Sequence, residues 1–77
     1  MTVKPDKVLD CIGLYCPEPV FRTRLGLDEI ESGQILKVLA DDPAAEEDIK
    51  RLVKRLGHEI LSQTTEDDTV TFLIQKK

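Results

Sequence analysis

Apolar positions recur with two different periods along this chain, and the switches between them predict its secondary structure. One stretch alternates with period two, a second is nearly all apolar as in a buried strand beside a crossover helix, and two more form a hairpin. In that hairpin Val70, Phe72 and Ile74 are expected to point inward. The predicted strands are residues 7–12, 34–40, 59–64 and 69–75.

Helical spacing appears in two segments between these strands. The first begins at Cys16-Pro17-Glu18-Pro19, where prolines are tolerated because the first N–H groups of a helix have no intrahelical partner, and it stops at Ser32-Gly33. The second has Asp42 as an acidic N-cap, Pro43 at its first position and Gly57 at its end. The predicted buried positions are Val20, Phe21, Leu25, Leu27 and Ile30 in the first helix, and Ala45, Ile49, Leu52, Val53 and Leu56 in the second.

The element order is therefore βαβαββ, which defines an α/β fold. Right-handed crossovers place both helices on one face of a four-stranded mixed sheet, with the first two strands parallel. Ile35, Leu39 and Leu73 are expected on the opposite face. A second subunit covering that face would make a weak homodimer, and otherwise the protein is a monomer.

Length and composition exclude several classes of function. A chain of 77 residues is too short for two domains, so residues 1–77 are predicted to form one. The net charge of −4 argues against direct nucleic-acid binding, and no apolar run is long enough to span a membrane. Residues 1–7 have no apolar h-region, so we expect a cytoplasmic location with reduced thiols. Two cysteines and one histidine cannot form a four-ligand zinc site, so neither a metal nor a cofactor is expected.

Cys16 is the strongest candidate for chemistry. A thiol at a helix N-terminus lies near free N–H groups and the positive end of the helix dipole, so its pKa is expected to fall. Glu18 opposes this effect, and Arg22 or Arg24 would strengthen it by folding back toward the sulfur. The alternative is a small buried cysteine that merely precedes a helix. The rigid Pro-x-Pro that follows favours the functional interpretation.

Four motifs, in order, resemble the TusA (SirA-like) family of small sulfur-carrier proteins over nearly the whole chain. They are Leu9-Asp10-x-x-Gly13-x-x-Cys16-Pro17-Glu18-Pro19, Gly33-Gln34-x-Leu36-x-Val38-x-Ala40-Asp41-Asp42-Pro43-Ala44, Asp48-Ile49 and Gly57-His58-Glu59. The resemblance implies a two-layer sandwich and a cysteine, here Cys16, that accepts sulfane sulfur as a persulfide. Lys50 stands where many members of the family have proline, which affects the partner surface more than the sulfur chemistry.

The resemblance also implies partners. The donor is expected to be a cysteine desulfurase or a rhodanese-like protein. The acceptor is expected to be a relay protein for tRNA 2-thiouridine formation, a molybdenum-cofactor enzyme or a protein of a sulfur-oxidation pathway. In this mechanism the Cys16 thiolate attacks the outer sulfur of the donor's persulfide, which makes the protein a sulfurtransferase. No general base is evident in the sequence.

The residues around Cys16 carry simpler interpretations. Cys11 shares a strand face with Leu9 and is expected in the core, although it is also a possible resolving thiol. Helix capping is the favoured role for Asp41 and Asp42, ahead of metal binding. For His58 the favoured role is a structural hydrogen bond. Five residues are predicted to support the thiol as a scaffold: Asp10, Gly13, Pro17, Glu18 and Pro19. Among them, Asp10 is expected to orient the turn at Gly13. The helices also carry basic residues, which are expected to form a solvated surface; the alternative is a docking face for an acidic partner. These residues are Arg22, Arg24, Lys50, Arg51, Lys54 and Arg55.

Two other functions fit the same sequence. One is a non-enzymatic regulatory or protein-interaction module, in which Cys16→Ala leaves function intact. The other is a redox protein that forms a Cys11–Cys16 disulfide, which requires Cα atoms within about 7 Å of each other.

Overall fold

The computed structural model describes residues 4–77; residues 1–3, which belong to the segment in which no secretory signal is predicted, lie outside the described residues. Four strands and two helices follow one another in the predicted order. Among residues 4–77, no helix is long and apolar enough to cross a membrane. The elements are β1 (Lys7–Cys11), α1 (Glu18–Glu29), β2 (Ile35–Ala40), α2 (Pro43–Leu56), β3 (Glu59–Glu66) and β4 (Thr69–Gln75).

The sheet is mixed, with the strand order β1-β2-β4-β3. β1 and β2 are parallel, as predicted, and β4 is antiparallel to both β2 and β3. Both helices lie on one face, because their buried side chains form one core with alternate residues of β2 and β4. The predicted α/β architecture is confirmed. The core comprises Cys11, Leu27, Ile30, Leu36, Val38, Ala40, Ala45, Ile49, Val53, Val70, Phe72 and Ile74.

The boundaries of α2 follow the sequence closely. Asp42 occupies the N-cap and accepts a hydrogen bond from the Ala44 amide, Pro43 begins the helix and Gly57 ends it. The hairpin differs from its prediction, because β3 continues to Glu66 and the turn shortens to Asp67-Asp68. Both turn residues have positive φ, 49° and 65°, which is the conformation of a tight two-residue turn.

The buried face of α1 is predicted correctly at Leu27, Ile30 and the partly buried Val20, and wrongly at two other positions. Phe21 and Leu25, expected in the core, are 57% and 60% exposed. Besides Leu27, the helix buries Pro19, Thr23 and Gly26, and these four residues have the i, i+4, i+7, i+8 spacing of one helix face. The Thr23 hydroxyl is satisfied because it donates a 2.7 Å hydrogen bond to the Pro19 carbonyl.

Gly26 explains why this face of α1, which includes a threonine and a glycine, is the buried one. A Cβ at position 26 would lie 3.2 Å from a methyl carbon of Leu36, which is tighter than ordinary van der Waals contact. The absence of a side chain therefore lets α1 approach β2 closely, which outweighs the cost of glycine in a helix. The helix ends at Glu29, before the predicted stop at Ser32-Gly33, and Ile30 still packs in the core.

The opposite face of the sheet has no covering layer among residues 4–77. Ile35 and Leu39 alternate along β2 with core residues, so they lie on that face, and both are half-buried. Leu73 of β4 pairs with Lys37 and joins them there. The sequence placed these three residues correctly, whereas the oligomeric state that they suggest stays a prediction.

Candidate functional site

The candidate site lies at the carboxyl edge of the two parallel strands. Cys11 ends β1, Ala40 ends β2, and these two residues are partners in the register. Because the strands are parallel, the β1–α1 loop (residues 12–17) and the β2–α2 loop (Asp41 and Asp42) leave the sheet side by side. The fold therefore brings two motifs together that lie about 30 residues apart in the chain.

The β1–α1 loop begins with a tight turn. Asp10 Oδ1 accepts a 3.0 Å hydrogen bond from the Ile12 amide, and the Leu14 amide donates to the Cys11 carbonyl at 3.2 Å. Gly13 has φ of +83°, a left-handed conformation that residues with a Cβ rarely adopt. Asp10 thus holds the start of the turn from within, and Gly13 allows the chain to reverse.

Two aspartates of the neighbouring β2–α2 loop hold the rest of the β1–α1 loop by hydrogen bonds to its backbone. Asp41 Oδ1 accepts from the Gly13 amide at 2.9 Å, and Asp42 Oδ2 accepts from the Cys16 amide at 2.8 Å. The other oxygen of Asp42 caps α2 through the Ala44 amide at 3.1 Å. One carboxylate therefore fixes the start of a helix and the backbone of Cys16 at the same time.

Replacement of Asp42 separates these two roles. Asp42→Ala removes both hydrogen bonds, and we expect the free energy of unfolding to fall by about 1 kcal/mol, the usual contribution of an N-cap. Asp42→Asn keeps one carbonyl oxygen and the N-cap preference, so we expect nearly normal stability. Both variants should increase hydrogen exchange at the Cys16 amide, measured by NMR. Normal protection of that amide in Asp42→Asn would contradict this description of the loop.

The Cys16 side chain is exposed, and its Sγ donates a 3.0 Å hydrogen bond to Oδ2 of Asp48 on α2. The Cys16–Pro17 peptide bond is cis. A groove of about 280 Å³ opens beside the sulfur. Its lining consists of Cys16, Pro17, Val20, Asp48, Arg51, Leu52 and Arg55.

The expected fall in the pKa of Cys16 is wrong. The hydrogen bond to Asp48 is the largest cause of a raised pKa, and partial desolvation and the negative charges of Asp48 and Asp42 act in the same direction. The acceptor carboxylate stabilises the protonated thiol and repels the thiolate. In the free protein Cys16 is therefore held as a thiol near neutral pH.

The helix-dipole argument fails for a geometric reason. α1 begins at Glu18 and Pro17 takes the N-cap position, so Cys16 lies outside the first turn, and its own amide is engaged by Asp42. The arginines do not compensate either. Arg22 pairs with Glu18 at 3.4 Å on the exposed side of α1, and Arg24 does not line the groove.

The other predicted scaffold residues contribute in different ways. Pro17 lines the groove, and Pro19 lies on the buried face of α1. Glu18 is exposed and does not line the groove. His58 Nδ1 accepts a 3.0 Å hydrogen bond from the Lys77 amide, the kind of structural contact expected for it. Lys50 contacts Glu46 and Glu47 at 3.5 and 3.8 Å on the solvent side of α2.

Cys11 lies in the core and is fully buried, with no disulfide to Cys16. Burial raises the pKa of its thiol, so it is a poor nucleophile near neutral pH. Within the described part of the chain, no three His, Cys, Asp or Glu side chains are arranged to bind a metal ion. Two larger depressions, of about 470 and 480 Å³, lie elsewhere on the surface and include neither cysteine.

The sequence named Asp48 in a motif and Arg51 and Arg55 as basic helix residues, but it did not place these three beside Cys16. The signal was present in the spacing, since Asp48 with Leu52 and Arg55 follows the i, i+4, i+7 pattern of one helix face. That pattern showed a shared face of α2 but not that the face borders Cys16. The relation appears only when α1 and α2 pack beside each other on the sheet.

Known proteins resemble this chain over nearly its full length. The family model described as Sulfurtransferase TusA matches residues 7–76. A protein of Archaeoglobus fulgidus provisionally named a sulfur carrier protein is 54% identical over 70 residues, covering 90% of this chain and 91% of that protein. The sulfur carrier protein TusA of Pseudomonas putida is 42% identical over 73 residues, covering 95% of this chain and 91% of that protein.

A solved structure has the same architecture. The crystal structure of a SirA-like protein from Desulfitobacterium hafniense superimposes with a TM-score of 0.80, covering 90% of this chain and 95% of that chain. Its sequence is 22% identical, so the likeness supports the fold.

Proposed function

Because the chain belongs to the TusA family of sulfur-carrier proteins, we propose that Cys16 accepts sulfane sulfur as a persulfide and passes it to an acceptor. The observation that carries this proposal is the exposed Cys16 thiol at the mouth of a groove, beside a carboxylate within hydrogen-bond distance. A carrier needs a thiol that a partner protein can reach. Of the two cysteines, Cys16 alone meets that requirement.

In the loading step Cys16 attacks the terminal sulfur of a donor persulfide. A new S–S bond forms on Cys16, and the S–S bond within the donor breaks. The proton of the Cys16 thiol passes to Asp48 Oδ2, 3.0 Å from the sulfur, and the departing donor thiolate takes up a proton. No electrons are gained or lost overall, because one persulfide replaces another.

The unloading step is the reverse reaction with a different partner. An acceptor thiolate attacks the terminal sulfur, the S–S bond on Cys16 breaks, and Cys16 leaves as a thiolate. Asp48 returns the proton to that sulfur and restores the resting hydrogen bond. Asp48 therefore supplies the acid–base group that the sequence did not reveal.

The partners follow from the family and stay proposals for this chain. A cysteine desulfurase or a rhodanese-like protein would supply sulfur. The acceptor would be a relay protein in tRNA 2-thiouridine formation, in molybdenum-cofactor synthesis or in sulfur oxidation. On this proposal the protein acts in the cytoplasm as a single sulfurtransferase domain, and Asp10, Gly13, Pro17, Glu18 and Pro19 shape the loop that presents Cys16.

Intact-protein mass spectrometry tests the proposal. The protein is incubated with a cysteine desulfurase and cysteine, or in a parallel arm with inorganic polysulfide, and is then analysed without reductant. We expect wild type and Cys11→Ser to gain about 32 Da, one sulfur atom, which dithiothreitol removes. Cys16→Ser should gain nothing.

The same spectra separate the alternatives. No adduct on wild type from either donor would contradict the carrier proposal and favour an interaction module. A loss of about 2 Da, absent from both single-cysteine variants, would indicate a Cys11–Cys16 disulfide. The complete burial of Cys11 weighs against that redox function.

A further inference from the structure

The groove beside Cys16 differs in charge from the remainder of the protein. The chain carries a net charge of −4, yet the charged residues in the groove lining are one carboxylate, Asp48, and two guanidinium groups, Arg51 and Arg55. These arginines are four residues apart on α2 and so project from the same side of the helix. The groove lining therefore has a net positive charge on an acidic protein, although the charges closest to the sulfur itself are those of Asp48 and Asp42.

Both arginines are available to a partner. Each is exposed, and neither forms an ion pair with any of the residues that the structure describes. By contrast, Lys50 on the neighbouring face of α2 is engaged by Glu46 and Glu47. An exposed, unpaired arginine keeps its full capacity for bidentate contact with a carboxylate.

The shape of the groove favours a polypeptide segment over a small molecule. Its volume of about 280 Å³ is below that of usual small-molecule pockets, and Cys16, Arg51 and Arg55 leave it open to solvent. The other lining residues, Pro17, Val20 and Leu52, are apolar. An extended segment can place an apolar side chain against these residues while its carboxylates reach the arginines.

We propose that this groove docks an acidic segment of the partner protein, one that carries the reacting sulfur with carboxylates beside it. The inference rests on the proposed function in that it identifies the chemistry of the sulfur-exchanging partner. Arg51 and Arg55 recruit the segment by charge, and this contribution appears in the association rate and in its dependence on salt. The net charge of the whole protein would act in the opposite direction and repel an acidic partner.

Peptide disulfides test this docking without any persulfide. Three heptapeptides with a central cysteine, flanked by glutamates, glutamines or lysines, are each activated as mixed disulfides with 2-thiopyridine. The Cys16 thiolate attacks the peptide sulfur, a Cys16–peptide S–S bond forms, and the bond to the pyridine sulfur breaks. The leaving pyridine thiolate takes up a proton at its ring nitrogen, and the pyridine-2-thione that results is followed by absorbance; Cys16→Ser gives the background rate.

At low salt we expect the glutamate peptide to react about three to ten times faster than the glutamine peptide, and the lysine peptide to react more slowly than both. The preference should disappear near 1 M salt, where the screening length is about 3 Å. In the double variant Arg51→Gln, Arg55→Gln, the ratio of glutamate to glutamine rates should fall to about one or below. Because this ratio uses one protein in both rates, changes in the reactivity of the thiol itself cancel.

A matched control removes the same charge elsewhere. Arg24→Gln, Lys37→Gln loses two positive charges from α1 and from the open face of the sheet, and should keep the preference for glutamate. Equal rates for the three peptides on wild type, or a preference that survives loss of Arg51 and Arg55, would overturn the docking proposal. Failure of Cys16 to load a persulfide would instead overturn the carrier proposal and leave the peptide result standing.

Discussion

Asp48→Asn is expected to make Cys16 react faster with iodoacetamide near neutral pH, because this reagent consumes thiolate that is already free and needs no proton transfer to Asp48 during the attack. In the wild type the Asp48 carboxylate accepts a 3.0 Å hydrogen bond from the Cys16 thiol and raises the pKa of that thiol, so little thiolate is present. Asparagine has nearly the same size but no charge, and its amide can donate to the thiolate. The pH at which alkylation reaches half its maximum rate should therefore move downward.

The size of this effect follows from thiol chemistry. At a pH well below the pKa, lowering the pKa of a thiol by one multiplies the thiolate fraction by about ten. The less basic thiolate is also a weaker nucleophile by about threefold, so the alkylation rate rises by about threefold in all. The measurement is the second-order rate of alkylation at Cys16 across the pH range, analysed by mass spectrometry.

Glu47→Gln provides the matched control for Asp48→Asn. Glu47 is the neighbouring residue on α2, carries the same charge and contacts Lys50 at 3.8 Å instead of the thiol. Its replacement should leave the pH dependence of alkylation near that of the wild type. An unchanged profile in Asp48→Asn, or an equal change in both variants, would show that the hydrogen bond does not control the thiol.

Phe72→Ala is expected to cause the largest loss of stability, about 3–5 kcal/mol in the free energy of unfolding. Phe72 is fully buried in the middle of β4 and is the largest fully buried side chain in the described residues. It pairs with Val38 in the sheet, beneath the helical layer. Removal of the ring leaves a cavity that neighbouring β-strands cannot fill by moving.

The chain contains its own control for this prediction, since the only other phenylalanine, Phe21, is 57% exposed on α1. Phe21→Ala should change the free energy of unfolding by no more than about 0.5 kcal/mol. Urea denaturation of the two variants, followed by circular dichroism, measures both values. Similar losses in the two variants would mean that Phe21 is covered in solution, for example by a second copy of the chain.

Local signals in the sequence were sufficient for most of the elements. The Asp42-Pro43 start, the apolar stripe and Gly57 defined α2, because caps and periodicity act over short distances along the chain. The alternation of Val70, Phe72 and Ile74 defined the inner face of β4. In the α1 segment, Leu27 and Ile30 were predicted correctly as core residues. Phe21 and Leu25 were wrongly predicted as buried, since the burial of this helix is decided by the close approach of Gly26 to β2.

The sequence by itself singled out Cys16 as the candidate position, through its place in the Cys-Pro-Glu-Pro motif, and determined the order of strands and helices along the chain. Only the tertiary structure decided the chemical state of that cysteine. Asp42 and Asp48 lie 26 and 32 residues away in the chain, yet one holds the Cys16 amide and the other its thiol. Electrostatic effects on a thiol depend on distances of a few ångströms, and packing of α2 beside the β1–α1 loop sets those distances.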